Sequence, residues 1–274
     1  MNKRFASLVV LTVFFCLPAA AQTADDIIAK HIAALGGAEK LKATKTLRLT
    51  GRFEVAAGIE APFTLEHKLP DRMRMEFVVQ GMTAVQAYDG KSGWKLIPFQ
   101  GKKDPEPASE EENKDLKDQA DLFGPLVDYK TKGNQVELVG KEKVEGADCY
   151  KLKVTLKDGD ILYDYLDADS YLDVKIEGKR VMQGNEIEFE TSMGDYKEVG
   201  GLMFPYAIEE GQKGGPQRQK IIVDKVEINV PIDDSRFTMP AVKPAETKPN
   251  PSLPPELAAF WTEAAGVVAT FPAQ

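Results

Sequence analysis

The chain has 274 residues, a formal charge of -8, 43% hydrophobic residues and two cysteines. Its acidic balance argues against nucleic acid and against anionic membrane surfaces as principal partners. Two cysteines cannot make a disulfide scaffold, so a hydrophobic core has to hold the fold.

In chain order, Lys3 and Arg4 precede an apolar run from Leu8 to Leu17, Pro18 breaks the run, and Ala19, Ala20 and Ala21 follow. Basic, then apolar, then small is the order of a cleavable secretory signal. Residues 1–21 are therefore expected to be removed on export. The run is shorter than the ~20 apolar residues of a membrane span. Phe15 also denies Cys16 the small neighbour that a lipid-attachment site wants. Losing the two cations Lys3 and Arg4 takes -8 to -10 and leaves Cys149 as the one cysteine.

Residues 24–35 (ADDIIAKHIAAL) read as a helix, with Asp25 and Asp26 suiting its N-terminus and Gly36-Gly37 ending it. Ile27, Ile28, Ile32 and Leu35 make one apolar stripe that must be buried. The period then changes to two. Leu47, Leu49 and Gly51 alternate with polar residues, as do Met73, Met75 and Phe77, then Tyr150, Leu152, Val154 and Leu156, then Ile187 and Phe189, then Val226, Ile228 and Val230. Such alternation belongs to antiparallel strands with one dry face. Turn residues at Gly58, Pro70-Asp71, Asp89-Gly90, Gly101, Asp158-Gly159, Gly184-Asn185 and Gly214-Gly215 punctuate them. The pattern predicts a mainly β (α+β) fold, with ten or eleven strands in one large curved sheet.

An acidic loop follows Asp104, and Asn113 is read as the cap of a short inserted helix reaching Phe123. Such a helix is expected on the concave face. The folded domain, residues 22–240, is expected to end near Phe237. Six prolines between Pro240 and Pro255 mark residues 241–255 as an extended linker. Residues 256–274 would then carry a short amphipathic helix with Phe260 and Trp261.

Little in the chain suggests catalysis, and an enzyme ranks last among the functions considered. His31 reads as a partly buried helix residue, and His67 as an ordinary strand residue. Neither has a neighbour at metal-ligand spacing, so no metal or cofactor is expected. Asp164 with Asp167, and Asp233 with Asp234, are pairs expected by chance in so acidic a chain. Asp167, Asp169 and Asp173 lack the pattern of a calcium loop and read better as a hairpin turn. Cys149 reads as a buried small hydrophobe.

Several stretches together resemble the LolA/LolB-like superfamily of periplasmic outer-membrane lipoprotein-sorting and carrier proteins. These are residues 28–37 leading into 46–51, residues 70–76 with Tyr88-Asp89-Gly90-Lys91 and Trp94, residues 148–152 with 167–176, and residues 195–205 with 230–237. The resemblance implies a half-open antiparallel β-barrel whose concave apolar face is covered by an N-terminal helix and an inserted helix. It further implies a periplasmic carrier of lipid or lipoprotein acyl chains. The family's carriers place a lid-holding arginine before the proline of this motif, where this chain has Leu69.

The candidate groove residues are Met73, Met75, Phe77, Val79, Met82, Val85, Trp94, Leu122 and Phe123, with Ile28, Ile32 and Leu35 on the lid helix. Methionines suit a cavity that fits variable chains; the competing reading is ordinary core. The expected partner is a lipid or lipoprotein acyl chain, bound by a monomer. The alternative function is a periplasmic sensor or scaffold whose acidic loop and tail helix meet a membrane or periplasmic protein.

Overall fold

The computed structural model describes residues 22–56, 59–182, 185–216 and 218–241. The expected signal segment, most of the proline-rich linker and the tail helix lie outside them.

Helix α1 (Ala24–Ala34) opens with a reciprocal box in which Thr23 and Asp26 each bond the other's backbone N–H, satisfying donors that have no partner within the helix. Gly36 and Gly37 take φ of 121° and 94° and end it. Helix α2 (Ala38–Ala43) follows at once. Five strands come next: β1 (Thr46–Ala56), β2 (Ile59–Lys68), β3 (Arg72–Val79), β4 (Met82–Tyr88) and β5 (Gly93–Leu96). A two-residue strand β6 (Glu106–Pro107) precedes the inserted helix α3 (Glu110–Gln119) and the one-turn α4 (Tyr129–Lys132). The second run holds β7 (Gln135–Val144), β8 (Ala147–Thr155), β9 (Ile161–Asp167), β10 (Asp173–Met182) and β11 (Asn185–Gly194). A small hairpin of β12 (Lys197–Val199) and β13 (Leu202–Phe204) precedes β14 (Ala207–Gln212) and β15 (Gln219–Ile228).

Thirteen strands form one antiparallel sheet in the order β6-β5-β4-β3-β2-β1-β15-β14-β11-β10-β9-β8-β7. The last strand, β15, inserts between β1 and β14 and joins two runs of hairpins into one surface. The outermost strands, β6 and β7, do not pair, so the sheet is a half-open barrel, as the family resemblance implies. The strand number differs from the ten or eleven expected. The short β5, β6, β12 and β13 account for the difference, because two to four residues are too few to display a period of two.

The two free edges are consecutive in sequence. Residues 108–134 therefore have to travel from the β6 edge to the β7 edge, and the short route crosses the mouth. The crossing starts with α3, whose cap is Ser109 in a box with Glu112, not Asn113. Asn113 lies one turn inside and ties the helix to the sheet, accepting from Gly93 N–H at 2.5 Å and donating to Ala108 O at 2.9 Å. Lys132 fastens the far end, donating to both Asp121 carboxylate oxygens at 2.6 Å and to Gly124 O at 2.5 Å.

The convex face carries the chain after β15. Trp94 Nε1 donates to Phe237 O at 2.7 Å, Arg74 donates to Arg236 O at 2.8 Å, and Arg236 donates to the buried Glu66 at 2.5 Å. Phe237 is fully buried. Asp233 caps the last turn by accepting from Ser235 N–H.

Candidate functional site

The concave face is a mainly apolar wall built from two clusters. Strand alternation turns Leu47, Leu49 and Phe53 of β1 inward beside Phe63 and Leu65 of β2, and these beside Met73, Met75 and Phe77 of β3. Phe53 stacks at 4.6 Å on Phe63 and edge-on at 6.2 Å to Phe77, with Phe99 6.1 Å beyond Phe77. Met73, Met75, Phe77, Val79, Leu122 and Phe123 share one large buried cluster, with Met82 half-buried against it. The expected groove residues on β3 and the insert are therefore brought together. They are also covered: Leu116, Ala120, Leu122, Phe123 and Val127 of the insert close over them. They line a groove only if that insert moves aside. Each such buried side chain contributes roughly 1.5–3 kcal/mol to the closed state.

Two expected groove residues lie elsewhere. Opposite Phe77 on β4 stands Ala84, and opposite Glu76 stands Val85, so Val85 shares the other face. Trp94 pairs with Ala87 and joins Val85 in a separate cluster on the convex side. Their hydrophobicity misled, because β4 is apolar on both faces and alternation alone could not orient it. Leu69, in the position of the family arginine, packs half-buried against the main cluster.

Helix α1 straps the second half of the wall. Ile27 and Ile28 pack with Leu126, Tyr150, Leu152, Val154 and Leu166, Leu35 belongs to the first cluster, and Ile32 touches both. The three expected lid residues thus bridge the two halves. Both ends of the strap are tied. At the N-terminal end, Asp25 accepts from the Tyr129 hydroxyl and from Lys130 at 2.8 Å. Tyr150 donates to the Gln22 side chain at 2.6 Å. At the C-terminal end, Met203 N donates to Leu35 O at 3.0 Å, and a Cβ on Gly36 would overlap Gly201 O.

Three groups of polar side chains interrupt the apolar wall. His67 is buried on β2; the Ala120 backbone of the insert bonds its ring, and burial lowers its pKa to about 4, so it is neutral. A second group lies under α1. His31 Nδ1 donates to Tyr171 O at 2.9 Å, and its Nε2 stands 3.9 Å from the buried Asp173 carboxylate. Burial and the facing Asp173 carboxylate hold Asp164 well above the usual range, which favours its protonated form. Thr191, Glu210 and Gln219 make the third group, side by side on β11, β14 and β15. The sequence reading missed the second and third groups. The available signal was a polar residue at an inward strand position, as in Leu162-Tyr163-Asp164-Tyr165-Leu166.

Cys149 is buried with its thiol pKa raised by burial, consistent with a small hydrophobe. Asp167 accepts from Ser170 N–H and its hydroxyl at 2.7 and 2.8 Å and so serves the β9–β10 turn. Among the described residues, no group of three or more His, Cys, Asp or Glu is placed to hold a metal ion. No helix of the described residues is long and apolar enough to cross a membrane.

No family model matches the sequence, and no curated protein matches it. Solved structures do match the fold. A LolA superfamily protein from Nitrosomonas europaea superposes with a TM-score of 0.52 at 14% identity, covering 80% of this chain and 98% of that one. A domain assigned to outer membrane lipoprotein sorting, from Vibrio parahaemolyticus, gives 0.51 at 13% identity, covering 77% and 94%. A DUF1329 family protein from Desulfovibrio piger gives 0.55 at 12% identity, covering 78% and 96%. The fold is thus LolA-like, a half-open antiparallel barrel.

Proposed function

We propose that this chain is an exported, periplasmic binding protein for the acyl chain of a lipid or lipoprotein. The observation that carries the reading is the mainly apolar wall running through both halves of the sheet under two separate covers, α1 and the insert. An acyl chain gains ~0.8 kcal/mol per buried methylene, so a long chain can displace a cover that its own burial replaces. The resemblance in sequence and the LolA-like fold support the same class. We read the protein as a carrier or binder and not an enzyme, because its buried His31 and His67 are engaged by backbone groups.

Native mass spectrometry of the protein, purified gently from the cell envelope, tests this. The expected result is an adduct with the mass of an acylated molecule, and saturable uptake of a fluorescent fatty acyl probe by emptied protein. A protein that is empty when isolated and also refuses the probe would sink the reading.

A further inference from the structure

The polar row on β11, β14 and β15 is out of keeping with the wall around it. Thr191 pairs with Glu210 and Glu210 with Gln219 across three adjacent strands, so the three side chains share one rung on the concave face. Apolar residues bound the row on one side, where Met193, Ile208 and Ile221 form the next rung. On the other side the rung holds Phe189 and the exposed Gln212. Adjacent rungs on one face are about 7 Å apart, so the polar row lies one step inside the rim of the half-barrel. Thr191 is 1% exposed, Glu210 0% and Gln219 7%. Among the described residues, Thr191 Oγ1 and both amide atoms of Gln219 make no hydrogen bond.

Burying a hydroxyl and an amide without partners costs folding free energy and returns nothing to the fold. Apolar side chains of similar size would serve a pure core better. The cost is explained if a ligand completes the bonds. Gln219 Nε2 and the Thr191 hydroxyl are donors suited to a carbonyl oxygen. Gln219 Oε1 is an acceptor suited to a neighbouring O–H or N–H. We propose that Thr191 and Gln219 form a subsite for the neutral polar linkage of an acylated ligand, a carbonyl with an adjacent hydrogen-bond donor, whose chain runs inward along the apolar wall. The inference rests on the acyl-binding function proposed above and names its headgroup end. A free fatty-acid carboxylate fits poorly, since it brings no donor for Gln219 Oε1.

An ester-linked glycerol and an amide-linked head share this chemistry, and two probes separate them. Displacement of the neutral dye N-phenyl-1-naphthylamine from the protein spanning residues 22–274 is measured with monooleoylglycerol, oleoylethanolamide, methyl oleate and oleate. The first, the second or both should bind about tenfold tighter than methyl oleate and oleate, the factor that one or two neutral hydrogen bonds supply. The variant Gln219→Leu should lose that tenfold preference, because the acceptor that reads the adjacent donor is gone, with methyl oleate still displacing the dye as a guard against a folding defect. Thr191→Val, nearly isosteric, removes a donor to the carbonyl that the neutral ligands share and should weaken monooleoylglycerol, oleoylethanolamide and methyl oleate alike by about threefold. Binding of methyl oleate equal to that of both monooleoylglycerol and oleoylethanolamide, or a preference that survives Gln219→Leu, overturns the subsite and leaves acyl binding standing. Failure of all four compounds to displace the dye overturns both.

Discussion

Replacing His67 with glutamine should make the protein less sensitive to acid by an amount that the structure fixes. The imidazole is buried on β2 against the insert, and burial takes its pKa from the ordinary 6.5 to about 4. In the unfolded chain it takes up a proton near pH 6.5; in the folded protein it resists until about pH 4. Between those values the unfolded state binds more protons, so stability is complete above pH 6.5 and declines as the pH falls. At pH 4 the accumulated loss is about 3 kcal/mol, from ~1.36 kcal/mol per unit of difference, less the part recovered as the folded protein itself begins to protonate. Glutamine keeps an amide donor for the Ala120 backbone but does not titrate. Urea unfolding of both proteins at pH 7 and pH 4 reads the effect. The variant's stability relative to wild type should rise by about 3 kcal/mol between the two conditions, whatever constant cost the substitution carries. Parallel curves would show that His67 is not held neutral in the interior, and the tie between β2 and the insert would have to be abandoned.

Two other perturbations probe the strap. Asp164→Asn replaces a carboxyl whose protonated form the fold favours, and its stability relative to wild type should rise as the pH is raised from 4 to 8, because the folded wild type holds a proton that the unfolded chain releases; denaturation curves showing a constant difference would refute the raised pKa of Asp164. Gly36→Ala places a methyl group against Gly201 O at φ 121° and should cost about 2 kcal/mol or more, with faster amide hydrogen exchange concentrated in α1; a stability change within about 0.5 kcal/mol would show that the helix end is not clamped there.

How much of this was legible beforehand depends on the element. Residues 24–35 showed a stripe, a first-turn acid pair and a Gly-Gly stop, and α1 follows them closely. The strands with one dry face were equally plain, because a period of two survives wherever one face meets water. Strand β4 was not, since Ala84 and Val85 are both apolar and both buried. Only the register against β3 shows that they face opposite ways, and this moved Val85 and Trp94 out of the expected groove. Asn113 shows the same limit at a helix start. It is a good cap residue by type, but Ser109 with Glu112 three positions later competes for the same role and closes both bonds.

The sequence by itself determined the alternation that makes a sheet, the stripe that needs covering and the turns between hairpins, since each is written in residues close together along the chain. The tertiary structure alone decided which strands become neighbours. The pairing of β14 with β11 on one side and β15 on the other set Glu210 between Thr191 and Gln219, residues as far apart as positions 191 and 219. The packing of α1 on the sheet brought His31 to 3.9 Å from Asp173. Burial and hydrogen-bond partners are properties of what lies across the interior, and a linear pattern carries no record of that.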